Sequence, residues 1–521
     1  MDGRLKFYGW GAQNTGLDGT ERGKLFGFLA DRFGIEPRLV APPQVTDVAL
    51  PGPRVTPPGM ISHLFNSDPY ERLLHTYGKS YPDTVRAYAR DFSKAPDLVV
   101  LPQSEADVSA VLDWASGSKI AVIPFGCGSS VVGGIGPLLG EGYAGVVSLD
   151  LRQLDRVLEI DSTSRAARIQ AGIPGPAIES ALKPHGLSLR HYPQSFEFST
   201  LGGWIATRSG GHFATLYTHI DDFVENIRTV TPAGTMESRR LPGSGAGPSP
   251  DRMIIGSEGT LGVIVEAWMR LQDRPRFRGG AVFGFPDFFA AASAVRVVGQ
   301  AGLYPSNLRL IDNHEAGIYG VNNYEETLLM LAFESADHSI DAWMARAIEL
   351  TQDHGGRRHP DETAALAWRK AFIRMPYARE LTVPLGIIND TFESAVTWDK
   401  FEAFHTAVSA ATKEAIKEAT GRPCTVSVRF THVYPDGPAP YYTFNALGTP
   451  GQLLEQWQHI KDRASNALLT AGGTITHHHA VGRDHMPWYR EQRPALFGKA
   501  LDAAKSVLDP ARILNPGVLV P

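Results

Sequence analysis

Cysteine is almost absent from this chain, whose 521 residues include only Cys127 and Cys424. Two cysteines are too few for a framework of disulfide bonds, so we expect a fold without cross-links and a reducing compartment such as the cytoplasm. The segment from Met1 to Leu5 lacks the apolar core of a signal peptide, and no apolar run has the length of a membrane span. The final tripeptide, Leu519-Val520-Pro521, is not a peroxisomal signal. A lipid substrate would have to be met through an amphipathic surface or a tunnel.

The chain also lacks a large net charge. The formal net charge is −5, and no run of lysine and arginine marks a nucleic-acid-binding surface, so this class of function is excluded. The composition is that of an ordinary globular protein, and the length allows two or three domains with a large buried core.

Glycine is plentiful, and two glycine turns each follow an apolar, strand-like run. They occupy residues 124–130 (Pro-Phe-Gly-Cys-Gly-Ser-Ser) and 256–262 (Gly-Ser-Glu-Gly-Thr-Leu-Gly). A single turn of this kind usually has no ligand. Successive backbone N–H groups in glycine turns can also form a concavity that binds phosphate, and the pair predicts a dinucleotide site. A Rossmann site fits poorly because Val131 stands where its third glycine would be, and no Gly-Lys-Ser/Thr follows to make a Walker loop.

Hydrophobic periodicity indicates an α+β protein. Ser104 begins a capping-box pattern, apolar residues then recur at helical spacing, and the strand 120–123 leads into the first glycine turn. The run 42–58 is typical of a linker or an extended arm. We predict an N-terminal arm with a helical segment at 1–95, a nucleotide-binding domain at 96–275, a second domain at 276–465 and a C-terminal segment at 466–521. Further predicted helices are 287–299, 342–351, 401–420 and 494–508, and further predicted strands are 328–333, 425–434 and 441–444.

Three consecutive histidines, His477, His478 and His479, follow the β-branched run 474–476. In an extended strand His477 and His479 would point one way and His478 the other. Zinc would need further ligands, which neither a cysteine pair nor the nearby His485 supplies, so we predict no metal site. Without other information, a polar turn of solvated histidines is the better interpretation.

Several longer motifs carry a resemblance to a known family. They are Lys6–Gly11, Pro193–Trp204 with Thr207–Gly210, Met253–Ile264, Leu308–Asn313, Thr391–Ser394 with Trp398-Asp399, His477–Gly482, Leu508–Pro510 and Asn515–Gly517. Together they resemble the vanillyl-alcohol oxidase/p-cresol methylhydroxylase family of FAD flavoproteins, and within it the alkyldihydroxyacetonephosphate synthase (alkylglycerone-phosphate synthase) branch. The resemblance spans nearly the whole chain. It implies a two-subdomain FAD-binding PCMH-type domain and an α+β cap domain whose mostly antiparallel sheet lies over the flavin, with the C-terminal segment completing the active site.

The resemblance also implies that FAD is held by four loops. The predicted FAD-binding residues are Pro124, Phe125, Gly126, Cys127, Gly128, Ser129, Ser130, Gln194, Ser195, Phe196, Glu197, Phe198, Ser199, Thr200, Thr207, Arg208, Ser209, Gly210, Glu258, Gly259, Thr260, Leu261, Gly262, Val263 and Ile264. Relatives with covalent FAD often carry a histidine in the first loop, where this chain has Ser129, a poor nucleophile. Cys127 could in principle form a cysteinyl link, since a thiolate is the better nucleophile. We predict that it is a packed residue and that FAD is bound noncovalently.

Tyr441 matches the synthase tyrosine that serves as general base and acid. A phenol has a reference pKa near ~10, so this role needs burial beside cations or the flavin. The resemblance gives the run His477, His478 and His479 an active-site role in proton transfer or substrate orientation. A core aromatic remains an alternative for Tyr441, and it applies equally to Tyr442.

Two arginines match functional positions of the synthase. Arg379 is implied to bind substrate, because a planar guanidinium suits a phosphate or a carboxylate. Alternatives are a surface salt bridge from Arg379 to Glu380, or a shifted match that places Arg374 in this role. Arg309 is implied to be a second functional arginine, but its alternation with leucines also allows a solvent-facing position on a strand.

The predicted function is that of a noncovalent FAD enzyme of the synthase type. Acyl-dihydroxyacetone phosphate would exchange its acyl group for a long-chain alcohol through a flavin N5 adduct, giving an ether lipid without net redox change. Alternatives are an FAD-linked oxidase or dehydrogenase of a hydroxy acid or alcohol, and a non-catalytic FAD-binding protein. We further expect a cytoplasmic homodimer with peripheral membrane contact and no nucleic-acid partner.

Overall fold

The N-terminal 95 residues are more helical than their proline content suggests. In the computed structural model, which describes residues 3–137, 142–318, 325–359, 364–422 and 424–520, this part contains α1 (Gly19–Phe33), β1 (Phe65–Asn66), α2 (Pro69–Leu74) and α3 (Tyr81–Tyr88). Each helix begins at a side chain that accepts a backbone N–H, since Asp18, Asp68 and Ser80 act as N-caps. Residues 48–58 form no helix or strand and run along the body as an extended arm.

The next part of the chain builds two main sheets that share one hydrophobic core. Its elements are β2 (Leu98–Val100), α4 (Glu105–Ser118), β3 (Ile120–Phe125), β4 (Gly145–Asp150), β5 (Val157–Asp161), β6 (Ala166–Gln170), α5 (Gly175–Leu182), β7 (Leu187–Ser188), α6 (Leu201–Thr207), β8 (Val224–Thr231), β9 (Gly234–Glu237), α7 (Pro250–Ile254), β10 (Val263–Arg270) and β11 (Gln272–Asp273). The strand orders are β1-β2-β4-β3, with β2, β4 and β3 parallel, and β5-β6-β10-β8-β9, which is antiparallel; β11 pairs with β7. Only half of the predicted capping box forms, because the Asp107 carboxylate accepts from Gln103 N rather than from Ser104 N.

The cap is a seven-stranded antiparallel sheet, as predicted. Its order is β15-β12-β14-β13-β17-β18-β16. Its elements are β12 (Phe277–Phe285), α8 (Phe288–Gln300), β13 (Asn307–Ile311), α9 (Asn313–Ile318), β14 (Thr327–Ser335), α10 (Asp341–Asp353), β15 (Arg357–Arg358), α11 (Ala364–Arg374), α12 (Arg379–Thr382), β16 (Ile387–Glu393), α13 (Trp398–Thr420), β17 (Cys424–Val433), β18 (Pro438–Leu447) and α14 (Leu453–Thr470). Helices α8, α10, α13 and α14 share a core with one side of this sheet.

The C-terminal residues return to the first two sheets through α15 (Met486–Gln492) and α16 (Ala495–Leu508). The Asn515 amide donates to the carbonyls of Gly134 and Glu258, which ties this segment to the glycine turns. The histidine run preceding α15 is a loop, so the side-chain alternation of an extended strand does not apply to it. None of the helices formed by the described residues has the length and apolarity needed to cross a membrane.

Candidate active site

A cavity of about 1300 Å³ lies between the glycine turns and the cap sheet. Its size exceeds the usual ~300–1,000 Å³ of ligand pockets, which suits a dinucleotide together with a second ligand. One side, the flavin wall, consists of the loops 124–130, 194–200, 207–210 and 258–264. The opposite side, the cap wall, is the face of the cap sheet that carries Asn389, Thr391, Arg309, Arg429, Thr431, Tyr441, Thr443 and Asn445.

The loops of the flavin wall pack against one another so tightly that glycine is required. A Cβ on Gly126 would lie 2.4 Å from Thr200 Oγ1, and one on Gly259 would lie 2.9 Å from Pro124. Gly259 also has φ +74°, a conformation that side chains disfavour. The wall is therefore a surface of exposed backbone, which is the chemistry that a pyrophosphate needs. The residues present fit the predicted dinucleotide.

Most of the predicted FAD-binding residues line the cavity. They are Pro124, Phe125, Gly126, Cys127, Gly128, Ser129, Ser130, Gln194, Ser195, Ser199, Thr200, Thr207, Ser209, Gly210, Glu258, Gly259, Gly262, Val263 and Ile264. Among the described residues, the cavity lining does not include Phe196, Glu197, Phe198, Arg208, Thr260 and Leu261. Arg208 pairs with Asp221, and Leu261 is buried in the core.

A buried histidine that the sequence did not reveal supports the first loop from below. His75 Nε2 lies 2.8 Å from Asp150 Oδ2, and its ring lies 4.1 Å from that of Phe125. Nearby, the backbone N–H of Lys79 donates to Ser130 O at 2.6 Å. The N-terminal segment thus positions the flavin wall, although it contains none of the glycine turns.

Glu258 joins the flavin wall to the loop that carries the histidines. Its carboxylate accepts the backbone N–H groups of Val481 and Gly482, each at 2.8 Å. Burial raises the pKa of Glu258 to about 7, despite the opposing effect of these hydrogen bonds. Burial, followed by the nearby Asp150 charge, raises the pKa of the Cys127 thiol to about 12. Cys127 therefore has no thiolate character, which supports the prediction that FAD is noncovalent.

The side chains of the cap wall face the cavity because successive residues of a strand point to opposite sides of the sheet. Along β17 and β18, Arg429, Tyr441 and Thr443 face the cavity, whereas Phe430 and Tyr442 pack into the core. A register shift between Phe430 and His432 lets His432 line the cavity directly after Thr431. Tyr441 is thus a cavity residue, and the alternative of a core aromatic holds for Tyr442 instead.

Tyr441 lies beneath a cation that the sequence did not reveal. The guanidinium carbon of Arg429 is 3.8 Å from the centre of the Tyr441 ring, and the Tyr441 hydroxyl donates to Thr391 Oγ1 at 3.0 Å. The rings of His478 and His479 lie 5.9 and 5.2 Å away. Burial raises the pKa of Tyr441, and the Arg429 charge acts in the opposite direction.

Arg309 is buried rather than solvent-facing, since only 1% of its surface is exposed. Its Nε and Nη1 have no hydrogen-bond partner among the described residues, and its guanidinium lies 4.3 Å from the Trp368 ring. Burial, followed by the charge of Arg429, lowers the pKa of Arg309 to about 9. Arg429 forms a buried ion pair with Glu315. Two guanidinium groups, those of Arg309 and Arg429, therefore line the cavity from the cap wall.

Arg379 lines the cavity, but its partner is Asp390 at 2.9 Å and not the predicted Glu380. It also donates to the carbonyl of Lys79 at 2.7 Å. Glu380 instead pairs with the buried Lys6 at 2.8 Å and accepts the N–H of Trp10. The N-terminal motif therefore clamps the short helix that carries Arg379.

Arg374, the alternative candidate for the substrate-binding arginine, has a different ion-pair partner from that of Arg379. Its guanidinium forms a two-point ion pair with Glu21 of α1, at 2.9 and 2.7 Å, at the edge of the same cavity. This pairing fixes α1 over the opening of the cavity.

The three histidines are gathered by one carboxylate. Glu393, at the end of β16, accepts the backbone N–H groups of His477, His478 and His479 at 2.7, 3.1 and 3.0 Å. Burial alone would raise the pKa of Glu393, but the histidines hold it well below its usual range. Three successive N–H groups can meet one carboxylate only in a curved loop, which explains why this run is not an extended strand. His478 and His479 line the cavity, and His477 lies behind them.

Further polar groups join the histidines from distant parts of the chain. His477 Nε2 lies 2.7 Å from the Tyr434 hydroxyl and 3.2 Å from His219 Nε2. His432 bonds to Gly211 O and Thr431 Oγ1. One ring nitrogen each of His432, His477 and His478 lies within 4.8 Å of the others, but both nitrogens of His432 and His477 already contact protein atoms, so we assign no metal. No local motif marks His219 or His432 in the sequence.

Comparison with known proteins places this site in context. The profile of a family described as "FAD binding domain" matches residues 96–238, and that of "FAD linked oxidases, C-terminal domain" matches residues 274–519. An alkyldihydroxyacetonephosphate synthase of Dictyostelium discoideum is 30% identical, over 87% of this chain and 78% of that protein. A probable mitochondrial D-lactate dehydrogenase of Danio rerio is 25% identical, over 81% and 84%. A solved structure of alkyldihydroxyacetonephosphate synthase in P212121 has a TM-score of 0.81 at 26% identity, covering 98% of both chains. FAD is thereby confirmed as the dinucleotide.

Proposed function

Since the chain belongs to the alkyldihydroxyacetonephosphate synthase family of FAD-linked enzymes, we propose that it makes an ether lipid. Its substrates would be an acyl-dihydroxyacetone phosphate and a long-chain alcohol. The bond between C1 and the acyl oxygen breaks, the fatty acid leaves with both oxygens, and the alcohol oxygen bonds to C1. No electrons are gained or lost overall.

FAD would be held noncovalently by the flavin wall, with its pyrophosphate against the backbone of loops 124–130 and 258–264. When bound, it supplies an electrophilic ring system next to the substrate carbon. Every proton in the reaction must be moved by the protein, and the groups placed to do so lie on the cap wall and on the histidine loop.

The observation that carries the proposal is the position of Tyr441. Its hydroxyl lies inside the cavity, next to Thr391, with the Arg429 cation over its ring. A cation favours the phenolate form, so Tyr441 can accept the C1 proton and later return it. His478 and His479 face the same space and take part in proton transfer.

The phosphate of the substrate would bind at Arg309 on the cap wall. Arg309 offers two N–H groups that no described residue accepts, and a dianion would satisfy them. Arg379 would hold another part of the anionic head, as predicted, although Asp390 already neutralises much of its charge.

Within the same proposal the enzyme is cytoplasmic, acts as a homodimer and takes its lipids from a membrane surface. Support for the membrane contact comes from exposed apolar side chains on the N-terminal arm, where Met60 is 90% and Leu39 61% exposed. Isolated apolar residues on a surface are common, so the functional argument depends on the cavity rather than on them.

The experiment is to supply the holoenzyme with acyl-dihydroxyacetone phosphate and a labelled fatty alcohol, while the flavin spectrum is recorded. Labelled ether without steady flavin reduction or hydrogen peroxide supports the proposal. The D-lactate dehydrogenase relative motivates a second arm, in which the enzyme receives a 2-hydroxy acid under anaerobic conditions. Bleaching in that arm, with no ether in the first, would overturn the proposal in favour of an oxidoreductase.

A further inference from the structure

The proposed exchange releases one proton per turnover. The alcohol loses its O–H proton, whereas the fatty acid, whose pKa resembles the ~4.3 of a glutamate side chain, leaves as a carboxylate at neutral pH. The C1 proton taken by Tyr441 is returned to the product, so it does not change this balance. Tyr441 is only 5% exposed, and bound alkyl chains would cover it further. The surplus proton therefore needs a route out of the cavity.

A line of imidazole nitrogens leads away from this point. His478 lines the cavity, and its Nδ1 lies 3.0 Å from Nδ1 of His477. On the other side of the ring, His477 Nε2 lies 3.2 Å from Nε2 of His219. His219 Nδ1 lies 3.0 Å from the carbonyl oxygen of Arg208, at a solvent-exposed contact.

One set of tautomers satisfies the whole line. The carbonyl of Arg208 can only accept, so Nδ1 of His219 carries the hydrogen and its Nε2 accepts from His477. His477 then has a free lone pair on Nδ1, which accepts from His478. Every donor points outward, from the cavity to the surface. An imidazole that receives a proton on one nitrogen can release the proton held by the other, so this arrangement has the polarity of an exit path. The last proton leaves His219 Nδ1 to bulk water at its exposed contact with Arg208, because the carbonyl accepts a hydrogen bond but not the proton itself.

We propose that His478, His477 and His219 relay the surplus proton from the active site to solvent, with His219 as the exit. This inference rests on the proposed function, which creates the proton. It assigns a role to His219, a residue 258 positions away from His477.

The charges around the relay suit transient protonation. Burial, with the neighbouring histidines, lowers the pKa of His477 and of His219, so both rings are neutral at rest. The Glu393 carboxylate, 3.4 Å from His478 Nδ1, would stabilise an imidazolium as it forms. The other groups that face the relay are His191, His432, Tyr434, Asp221 and Arg208, and Asp221 is itself paired with arginines.

Tyr434 forms a side branch. Its hydroxyl contacts His477 Nε2 at 2.7 Å and Thr218 Oγ1 at 3.2 Å. Burial raises the pKa of Tyr434, so the hydroxyl stays protonated and can pass a proton only by receiving another. A full test therefore includes Tyr434→Phe in the background of the His219 variant.

The test measures ether formation by His219→Gln holoenzyme in H₂O and D₂O, with and without added imidazole. We expect kcat to fall roughly tenfold, less than the ~10²–10⁴ of a group that acts directly on substrate. KM and FAD content should stay unchanged, the solvent isotope effect should rise, and free imidazole should restore the rate. The double variant with Tyr434→Phe should be slower still.

The matched control is His432→Gln. His432 belongs to the same cluster, but its nitrogens contact Gly211 and Thr431, outside the relay, so imidazole should have no effect on that variant. If His219→Gln loses FAD, His219→Asn gives a second variant that keeps an N–H donor without a relay. Wild-type kcat and isotope effect in a folded His219 variant would overturn the relay and leave the synthase function standing. A wild type that makes no ether would overturn the proposed function, and the relay with it.

Discussion

The two walls of the cavity are built by different means. The flavin wall presents backbone, and its loops touch one another where a side chain would not fit, as at Gly126 against Thr200. The cap wall presents side chains, one from every second position of neighbouring strands, as at Arg429 and Tyr441. The flavin wall depends on how little space its loops leave, whereas the cap wall depends on which functional groups its side chains carry. Adding atoms should therefore damage the first wall, and removing atoms should damage the second.

The largest effect is expected from removing one oxygen on the cap wall. Tyr441→Phe keeps the ring beneath Arg429 but removes the proton acceptor, so ether formation should fall by ~10²–10⁴ with FAD still bound. The measurement is product formation from labelled alcohol. Tyr442→Phe is the control, because its hydroxyl faces the core and contacts His405. Comparable losses in both variants would contradict the assignment.

Adding one carbon to the flavin wall should act on cofactor binding instead. The new Cβ of Gly126→Ala would meet Thr200 Oγ1 at 2.4 Å, and overpacking of this kind costs ~1–3 kcal/mol, or about 5- to 150-fold in FAD affinity. Titration of the apoprotein with FAD measures it. Gly117→Ala, where no atom lies within 4 Å of the new Cβ, should bind FAD normally. Unchanged affinity in Gly126→Ala would show that the loops yield.

Arg379 tests whether shape or charge matters on the substrate side. Arg379→Lys keeps the charge but loses the fork that contacts Asp390 and the Lys79 carbonyl, so KM should rise roughly tenfold with FAD content unchanged. Arg374→Lys, which disturbs the pair with Glu21 and the contacts with Gly16 and Tyr377, serves as the comparison. An inactive Arg374→Lys beside a normal Arg379→Lys would transfer the substrate role to Arg374.

Glu258, which joins the two walls through Val481 and Gly482, predicts a pH dependence. Its pKa is raised from 4.5 to about 7 in the folded protein, so its stabilising contribution is complete below pH 4.5 and is lost as the pH rises through 7. At ~1.4 kcal/mol per pKa unit this amounts to no more than about 3.5 kcal/mol. The melting temperature of Glu258→Gln should therefore fall less between pH 5 and 8 than that of the wild type. Parallel curves would refute the assignment.

The smallest effect is expected at Cys127. Since its thiol is buried and protonated, Cys127→Ser should leave the flavin spectrum unchanged, and acid precipitation should release FAD from variant and wild type alike. Flavin that stays with the wild-type pellet, but not with that of Cys127→Ser, would demonstrate a covalent link.

The same contrast explains what the sequence could predict. Each glycine turn is a run of seven consecutive residues, so its chemistry can be recognised from the sequence. Long periodic elements could also be located, such as the helix predicted at 401–420 and found as Trp398–Thr420. The cap wall depends on strand register. Arg429 alternates with Val428 and Phe430, a pattern that could have revealed a polar face, but only the fold shows that Tyr441 lies beneath it.

Other features were beyond local patterns altogether. The conformation of the histidine run could not be decided from the sequence, because nothing nearby shows that the Glu393 carboxylate, 84 residues from His477, accepts its N–H groups. His75, His219 and Tyr434 are single residues whose roles arise from contacts with distant segments. A solvent-facing position for Arg309 was the alternative to a functional role, and only the fold shows that its side chain is buried.

The ion pair between Lys6 and Glu380 joins two parts of the chain that the ribosome makes at very different times. The two residues are 374 positions apart, and they hold the short helix on which Arg379 is mounted. A ribosome adding ~5–20 residues per second would expose Lys6 roughly 20–75 s before its partner exists. During that interval Lys6 lacks its acidic partner, whereas Arg4 and Phe7 can already contact Asp68 and Tyr70. The loops of the flavin wall are therefore synthesised before the helix that carries Arg379, and that helix is later held by a segment made at the very start.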